Sequence, residues 1–482
     1  MQLLSHKTNI VATIGPASEQ PETLRALMKA GLGIARLNFS HGNADYHATL
    51  IERIREAARD TGRRVAIMGD LPGPKIRIGE IAGEPVKLAR DAEFTLTTDD
   101  IVGDETRASV SFPDLPGAVS PGDRLFLNDG FILLKVVEVR GNDVVCNVRA
   151  GGKLSSRKGL NLPGIDLGIG AFTDDDHGWL RFAAAHGLDA VSQSFVADAG
   201  DIAAVCESAR ELDYAPFIIA KIERATALDN LDAILEAADG IMVARGDLGV
   251  EIPIERIAVA QREITEKANL AGKPVITATQ MLESMVQMRR PTRAEATDVA
   301  NAILGGTDCV MLSAESAMGQ YPVESVEMLA RIAEAIEPER DNRQLAQALG
   351  AYGDGRRLRP VDLIARSVYH TVERSAPRAV ITPTRSGYTA RSIARFRLPC
   401  WVVAFSPNPA TCQALQFSYG VHAVDVDQDR GDWTEYVRDW LAERDIEDGL
   451  VLLLQGPSVD YPCGNHRLEI IELDPSQERH CD

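Results

Sequence analysis

The chain has 482 residues, of which 45% are hydrophobic and 25% are charged, and its formal net charge at pH 7 is −19. The length suggests about three domains, and the composition is that of a globular protein with a large core. The negative charge repels nucleic acid and anionic lipid, so we expect neither as a partner. With no apolar run of membrane-spanning length and no signal-peptide pattern at the N-terminus, we expect a cytoplasmic location and no membrane partner. Seven scattered cysteines without a C-x-x-C pair indicate reduced thiols.

Strand-like apolar runs alternate with helical patterns over the first 340 residues, which favours parallel β/α units. Eight such strands are predicted when one long insertion is set aside: Asn9–Ile14, Ile34–Phe39, Val65–Gly69, Ala190–Phe195, Phe217–Ile222, Ile241–Ala244, Val275–Ala278 and Cys309–Ser313. Helical patterns include Pro21–Ala30, Ala44–Asp60, Thr226–Ala238 and Ile254–Ala271. This rhythm predicts a (β/α)8 TIM barrel over residues 1–70 and 164–341.

The remaining segments predict two further domains. Residues 71–163 contain short alternating strands and turn signals such as Asn128-Asp129-Gly130, which predict a small β-barrel domain inserted in the barrel as a lid. In residues 342–482 strands again alternate with helices, which predicts a C-terminal regulatory domain with an open α/β sheet. Trp433 and Trp440 lie on one helical pattern of that domain and are predicted to be core or interface residues.

Polar side chains mark the ends of the predicted barrel strands, where barrels place their active sites. Arg36, Asn38 and Ser40 alternate with apolar residues and so share one strand face. Lys221 and Glu223 share a face at the end of a later strand, and burying such opposite charges is costly unless they are paired or used. The structural alternatives are a solvated strand end for the first group and a plain ion pair for the second.

The next strands continue this pattern. Asp247 follows the sixth strand, so that Glu223 and Asp247 offer oxygen ligands suited to Mg²⁺. Amides around Gly246 and Asp247 can hold a substrate carboxylate if they open a helical turn. Thr279 ends the seventh strand and faces the same mouth, and for Glu315 after the eighth strand we expect only a supporting hydrogen bond. The structural alternative for Asp247 is a helix cap.

With these residues in place, the chain resembles the pyruvate kinase family over nearly its whole length. The resemblance rests on long motifs that occur in order: Thr13-Ile14-Gly15-Pro16-Ala17-Ser18, Ala35-Arg36-Leu37-Asn38-Phe39-Ser40-His41-Gly42, Met242-Val243-Ala244-Arg245-Gly246-Asp247-Leu248-Gly249, Ala278-Thr279-Gln280-Met281-Leu282-Glu283-Ser284-Met285 and Pro291-Thr292-Arg293-Ala294-Glu295. It implies a glycolytic, Mg²⁺-dependent enzyme that transfers a phosphoryl group from phosphoenolpyruvate to ADP, giving pyruvate and ATP. It also implies a homotetramer, and whether Mn²⁺ can replace Mg²⁺ stays open.

The resemblance also implies roles for individual residues. Lys221 would stabilise the phosphoryl group in transfer, Arg36 would grip it, and Glu223 and Asp247 would hold Mg²⁺. Thr279 would pass a proton to the enolate and, with the amides near Gly246 and Asp247, seat the substrate carboxylate. The nucleotide contacts would be Asn38, His41, Arg77 and Lys158. A cationic cluster at the mouth would attract phosphates to an acidic protein, and its expected members are Arg36, Lys75, Arg77, Lys158, Lys221 and Arg245.

One departure from the family pattern leads to a prediction. Many members need K⁺, held by groups that match Asn38, Ser40 and Asp70, and these members carry a threonine at the position of Leu71 and a glutamate at the position of Lys75. An ammonium is a compact tethered cation. We therefore predict that Lys75 replaces K⁺ and that activity does not require K⁺, the alternative being that Lys75 points to solvent.

The C-terminal domain contains a candidate effector loop between a strand and a helical pattern, rich in hydroxyls and amides that suit a phosphate: Thr382, Thr384, Arg385, Ser386, Gly387 and Thr389. The family places an allosteric sugar-phosphate pocket at a similar loop, and a plain connection is the alternative. Two other functions stay open for the whole chain. One is a metal-dependent carbon–carbon lyase on a related barrel, and the other is a catalytically silent paralogue that senses sugar phosphates.

Overall fold

The structure is a computed structural model, which describes residues 3–128, 130–165, 168–340, 347–348, 359–427, 433–456 and 466–473. In chain order its strands are β1 (Asn9–Thr13), β2 (Leu32–Asn38), β3 (Ala66–Leu71), β4 (Val86–Leu88), β5 (Glu93–Thr97), β6 (Arg107–Ser109), β7 (Arg124–Leu127), β8 (Ile132–Arg140), β9 (Asp143–Ala150), β10 (Gly152–Leu154), β11 (Leu160–Asn161), β12 (Ala190–Gln193), β13 (Phe217–Ile222), β14 (Gly240–Ala244), β15 (Val275–Ala278), β16 (Cys309–Leu312), β17 (Ala379–Pro383), β18 (Trp401–Ser406), β19 (Val421–Asp425), β20 (Leu450–Gln455) and β21 (Arg467–Glu472).

The α-helices follow the strands in the order expected of β/α units. They are α1 (Pro21–Ala30), α2 (Ala44–Thr61), α3 (Leu115–Ala118), α4 (Asp174–Ala185), α5 (Ala199–Glu211), α6 (Ala225–Asp229), α7 (Leu231–Ala237), α8 (Arg245–Glu251), α9 (Ile257–Ala271), α10 (Arg293–Leu304), α11 (Ala314–Ala317), α12 (Pro322–Ile336), α13 (Pro360–Ser375), α14 (Tyr388–Ala394), α15 (Pro409–Ala414) and α16 (Trp433–Ala442).

Eight parallel strands form a closed barrel in the order β1-β16-β15-β14-β13-β12-β3-β2, which confirms the predicted TIM barrel. All six residues of β13 are buried, as are all four of β15, because helices cover the outside and side chains fill the inside. The carboxyl ends of all eight strands therefore meet at one mouth. The polar residues that end these strands lie there.

Local sequence signals explain the helix ends. The side chain of Asn43 caps α2 by accepting a hydrogen bond from the Tyr46 amide at 2.9 Å, and the helix ends at Gly62 with a left-handed φ of 62°. Two predicted helices differ in detail from the structure. The segment 226–238 is two helices, α6 and α7, which meet at Asn230, and the segment 254–271 begins with a 3₁₀ turn before α9 starts at Ile257.

The inserted segment between β3 and α4 is a β domain with its own core. It contains a six-stranded sheet in the order β11-β7-β8-β9-β5-β6 and a two-stranded pair β10-β4. Phe94, Leu125 and Leu134 are among its fully buried residues. Its chain leaves the barrel after β3 and returns after β11, so both connections run to the mouth. We refer to this domain as the lid.

The C-terminal domain has a five-stranded sheet in the order β19-β18-β17-β20-β21, in which β21 alone runs antiparallel. Trp433 and Trp440 are buried in its core, as predicted. Arg397 of this domain binds Asp308 at the base of the barrel through two hydrogen bonds of 2.5 and 2.7 Å, and both side chains are buried. The five cysteines among the described residues are free thiols. None of the described helices combines the length and apolar character needed to cross a membrane.

Candidate active site

The ammonium of Lys221 lies at the centre of the polar cluster at the mouth. Its Nζ is 2.6 Å from Ser194 Oγ, 3.0 Å from Glu223 Oε1 and 3.2 Å from Asp70 Oδ1. These three acceptors match the three donors of an ammonium. Burial lowers the pKa of Lys221, but Asp70 and Glu223 together raise it above its usual value. Lys221 is therefore a fixed positive charge in the mouth.

Asp70 connects Lys221 to Arg36. Its Oδ2 accepts from Arg36 Nε at 2.8 Å and also from Arg36 Nη2, while its Oδ1 accepts from Ser192 Oγ at 2.8 Å. Burial would raise the pKa of Asp70, but Lys221 and Arg36 hold it below its usual value. Arg36 Nη1 donates to Thr13 Oγ1 at 2.8 Å. Of the five guanidinium N–H donors, these contacts with described residues use three, so two are left for a ligand.

Glu223 directly follows β13, and Asp247 lies in the first turn of α8, which follows the neighbouring strand β14. Glu223 is buried and its Oε2 accepts the Phe195 amide at 2.8 Å. Burial raises the pKa of Glu223, Lys221 lowers it, and the nearby Asp247 raises it again. Asp247 thus disfavours the charged form of Glu223, and a cation bound between the two carboxylates would relieve that repulsion. Two carboxylates with substrate and water also suit Mg²⁺, which rarely uses an all-protein cage. Among the described residues, no group of three or more His, Cys, Asp or Glu side chains forms a metal site.

Thr279 lies at the end of β15 in a strained conformation. Its φ is 67° and that of Gln280 is 53°, and a left-handed β-branched residue costs about 1–3 kcal/mol unless its surroundings hold it. Thr279 Oγ1 accepts the Gly246 amide at 2.8 Å and donates to the Ala278 carbonyl at 2.7 Å. The Thr279 hydroxyl therefore contacts the first turn of α8, and the Gly246 amide is already hydrogen-bonded to it.

Arg245 was expected in the cationic cluster, and the structure corrects that expectation. Its guanidinium donates to the Ala278 and Thr279 carbonyls and forms an ion pair with Asp298, so it holds protein groups instead of facing the mouth. Glu315 accepts the amides of Leu282 and Ser313 at 3.0 and 2.8 Å, which is the supporting role expected from the sequence.

Comparison with known proteins identifies the family. A family model described as "Pyruvate kinase, barrel domain" matches residues 5–326, and one described as "Pyruvate kinase, alpha/beta domain" matches residues 362–456. The chain belongs to the pyruvate kinase family. A relative named pyruvate kinase from Thermococcus litoralis is 47% identical over 98% of this chain and 100% of its own length. Pyruvate kinases from Geobacillus stearothermophilus and Homo sapiens are each 41% identical, over 93% and 86% of this chain and 76% and 75% of their own lengths.

Of the residues expected to contact nucleotide, Asn38 and His41 lie at the end of β2 in the barrel, and Arg77 and Lys158 lie in the lid. Arg77 forms an antiparallel bridge with Gly159, which brings it beside Lys158. Burial lowers the pKa of His41, and the positive charges of Arg77, Arg36 and Lys75 lower it further, which favours the neutral imidazole at pH 7. Asn38 accepts the Ser40 amide at 3.2 Å. Arg36, Lys75 and Arg77 therefore all act on the same imidazole, whereas Arg245 is paired with Asp298.

Lys75 lies beside Asp247 at the mouth of the barrel. Its Nζ is 3.6 Å from Asp247 Oδ1 and 6.0 Å from the centre of the Phe195 ring. The sequence predicts instead an ammonium beside Asn38, Ser40 and Asp70. In this structure Asp70 is paired with Arg36 and Lys221, whereas Lys75 is paired with Asp247.

The candidate effector loop connects β17 to α14 in the C-terminal domain. Thr384 Oγ1 accepts the Gly387 amide at 3.0 Å, and Gly387 has a left-handed φ of 75°. Thr411 Oγ1 donates to the Arg385 carbonyl at 2.6 Å, and Arg391 Nη2 donates to the Ser386 carbonyl at 2.8 Å. Thr382 is buried at the end of β17, and Thr389 lies within the first turn of α14. The loop is thus held in one conformation by its neighbours.

Sequence reasoning missed three residues of the cluster, Thr13, Ser192 and Ser194. Ser194 contacts Lys221, and Thr13 contacts Arg36. Ser192 and Ser194 alternate across the end of β12, and Thr13 ends β1. All three therefore follow the same strand-end pattern that revealed Arg36. A search of every barrel strand for alternating polar residues at its carboxyl end would have found them.

Proposed function

We propose that this protein is an Mg²⁺-dependent pyruvate kinase that transfers the phosphoryl group of phosphoenolpyruvate to ADP. One observation carries the proposal: a buried ammonium, Lys221, lies 3.0 Å from Glu223, a carboxylate whose pKa is raised by the nearby Asp247 at the barrel mouth. Phosphoryl transfer depends mainly on positioning and on stabilising charge, and this cluster provides both. When bound by Glu223 and Asp247, Mg²⁺ would neutralise negative charge on the phosphoryl oxygens.

Each cation of the cluster has a separate task in the proposed reaction. Arg36 offers its two remaining N–H donors to the phosphoryl group, while Asp70 and Thr13 fix the plane of its guanidinium. Lys221 keeps its proton because its pKa is raised, so it supplies positive charge throughout the transfer. Arg77 and Lys158 attract the ADP phosphates to the space between lid and barrel.

Proton transfer to the enolate is assigned to Thr279. Breaking the phosphate–oxygen bond of phosphoenolpyruvate leaves the enolate of pyruvate, whose methylene carbon then takes a proton. The Thr279 hydroxyl lies beside the Gly246 amide, the group proposed to seat the substrate carboxylate. That amide bonds Thr279 directly, so a bound carboxylate would share or replace this hydrogen bond.

Formation of pyruvate from phosphoenolpyruvate, measured with and without ADP and Mg²⁺, tests the proposal. We expect pyruvate to appear only when both are present. A metal-dependent lyase would form no pyruvate from phosphoenolpyruvate under either condition, and a silent paralogue would be inactive throughout. Either result would reject the proposed function.

We also propose that turnover needs no K⁺ and that Lys75 supplies the equivalent charge. The ion pair between Lys75 and Asp247 supports a positive charge held at the cluster. It holds that charge beside Asp247, one of the two proposed metal ligands. Turnover in potassium-free buffer should equal that with K⁺. The variant Lys75→Glu should become dependent on added K⁺, whereas Lys75→Gln, which removes the charge without reversing it, should lose activity under both conditions. A wild type that needs K⁺ would end this proposal.

The regulatory and assembly expectations of the sequence also belong here. We propose a cytoplasmic, glycolytic homotetramer whose activity responds to a sugar phosphate bound at the loop from Thr382 to Thr389. The hydroxyls and ordered turn of this loop support the proposal. A panel of sugar phosphates assayed at low phosphoenolpyruvate concentration tests it. Ser386→Asp, which places a negative charge in the loop, should abolish any response while leaving activity without effector unchanged.

A further inference from the structure

All five N–H donors of the Arg245 guanidinium have an acceptor. Nε donates to the Ala278 carbonyl at 3.2 Å, and Nη2 donates to the Thr279 carbonyl at 2.7 Å and contacts Met281 Sδ at 2.8 Å. Nη1 donates to Asp298 Oδ2 at 2.6 Å and Gln261 Oε1 at 3.4 Å. A guanidinium has five donors in a planar fork, so this one has none left for substrate.

Three of these contacts go to the segment that carries Thr279. Arg245 is the first residue of α8 and so directly precedes Gly246, whose amide donates to Thr279 Oγ1. Thr279 is therefore held at two points. The guanidinium of Arg245 binds the Thr279 carbonyl, and the amide of the next residue, Gly246, binds the Thr279 hydroxyl. Thr279 and Gln280 both have left-handed φ values, which non-glycine residues keep only when their surroundings hold them.

The anchor of the guanidinium is equally well fixed. Asp298 lies on α10, and that helix begins with a capping box in which Thr292 and Glu295 bond each other's backbone amides. Glu295 also accepts the amide of Ser284, which ties the segment after Thr279 to the same helix. Arg245 thus connects Thr279 to α10.

We infer that Arg245 is a positioning residue that holds the Thr279 hydroxyl in place for proton transfer to the enolate. This inference rests on the proposed function. It assigns Arg245 no contact with substrate or metal. It also explains why Arg245, in an enzyme that handles phosphates, is bonded wholly to protein groups. Lysine cannot replace it, because an ammonium has three donors and no fork.

The test is a double-mutant cycle between Arg245→Lys and Thr279→Ala. Two rates are measured with Mg²⁺: pyruvate formation from phosphoenolpyruvate and ADP, and exchange of the pyruvate methyl protons with deuterated solvent, which reports enolate proton transfer alone. Arg245→Lys should lower the exchange rate about 100-fold, since misplacing a reacting group by about 1 Å has that effect. In the Thr279→Ala background, Arg245→Lys should change exchange by no more than about threefold, because groups that act through one another are not additive.

Arg262→Lys serves as the matched control, because Arg262 is exposed on α9 and should leave both rates unchanged. If Arg245→Lys does not fold, Asp298→Asn enters the same cycle, since it keeps an acceptor for Nη1 and removes only its charge. Wild-type exchange in Arg245→Lys, or an equal loss in both backgrounds, would overturn the inference. A wild type that forms no pyruvate would instead reject the proposed function.

Discussion

Replacing Lys221 with methionine tests two roles of this residue: stabilising buried carboxylates and supplying positive charge for phosphoryl transfer. Methionine keeps an unbranched side chain of similar length but removes the charge. Asp70 would keep its bonds to Arg36 and Ser192, whereas Glu223 Oε1 would lose its ion pair with Lys221 at 3.0 Å. The loss should therefore fall mainly on Glu223, a buried carboxylate, because Asp70 loses Lys221 at 3.2 Å but keeps Arg36.

The size of the effect follows from that geometry. Removing one partner of a buried ion pair costs about 3–5 kcal/mol, and protonation of Glu223 should limit the cost to the lower end. For catalysis, a cation that stabilises the transferring phosphoryl group contributes about 10³-fold or more. We expect Lys221→Met to lose at least that factor in kcat, to be about 3 kcal/mol less stable at pH 8, and to regain part of that stability at pH 5.

Three measurements distinguish these consequences. Steady-state assays give kcat, chemical denaturation at the two pH values gives stability, and titration with Mn²⁺ gives metal affinity. The affinity should be retained or increased, because Lys221 no longer competes for Glu223. The double variant Lys221→Met/Glu223→Gln should recover stability but not activity. A kcat within tenfold of the wild type would refute the role of Lys221 in phosphoryl transfer.

Three further predictions concern pH and domain contacts. Because the pKa of Glu223 is raised, Mg²⁺ affinity should weaken as pH falls toward it, and a metal titration showing equal affinity at pH 8 and pH 5.5 would contradict this. Burial raises the pKa of Asp189 to about 6, above its unfolded value of about 4, so its ionised form destabilises the fold at higher pH. Asp189→Asn, which can still accept the Ile67 amide, should raise the melting temperature at pH 8 but not at pH 4; a lower melting temperature at pH 8 would be inconsistent with that cost. Arg397→Met leaves Asp308 buried without its counter-ion and should cost about 3–5 kcal/mol, which denaturation would measure; unchanged stability would show that the interdomain pair contributes nothing.

The barrel could be predicted because its strands are continuous apolar runs bounded by polar residues. The predicted Phe217–Ile222 and Val275–Ala278 match β13 and β15 at both ends. The break between α6 and α7 could not be seen, because the apolar pattern continues across Asn230. The antiparallel β21 was also missed, since its residues alternate weakly and its partner β20 reads as a buried strand without it.

The sequence predicted the site residues that lie at strand ends. It did not predict which hydrogen-bond or ion-pair partner each charged side chain would have. Side-chain alternation placed Arg36, Lys221 and Glu223 at one mouth. The charges of Arg245 and Lys75 are evident from the sequence, but the groups that they bind are not. In the structure Arg245 is bonded wholly to protein groups, and Lys75 pairs with Asp247. The left-handed φ of Thr279 could not be predicted, because a β-branched residue rarely adopts a positive φ.

The most direct measurement is the anomalous diffraction of Mn²⁺ in crystals grown with phosphoenolpyruvate. The account predicts one metal peak bonded to carboxylate oxygens of both Glu223 and Asp247, at about the 2.1 Å typical of Mg²⁺ sites, with the Lys221 ammonium against the substrate phosphate. A metal bound away from either carboxylate, or a phosphate out of reach of Lys221, would contradict it.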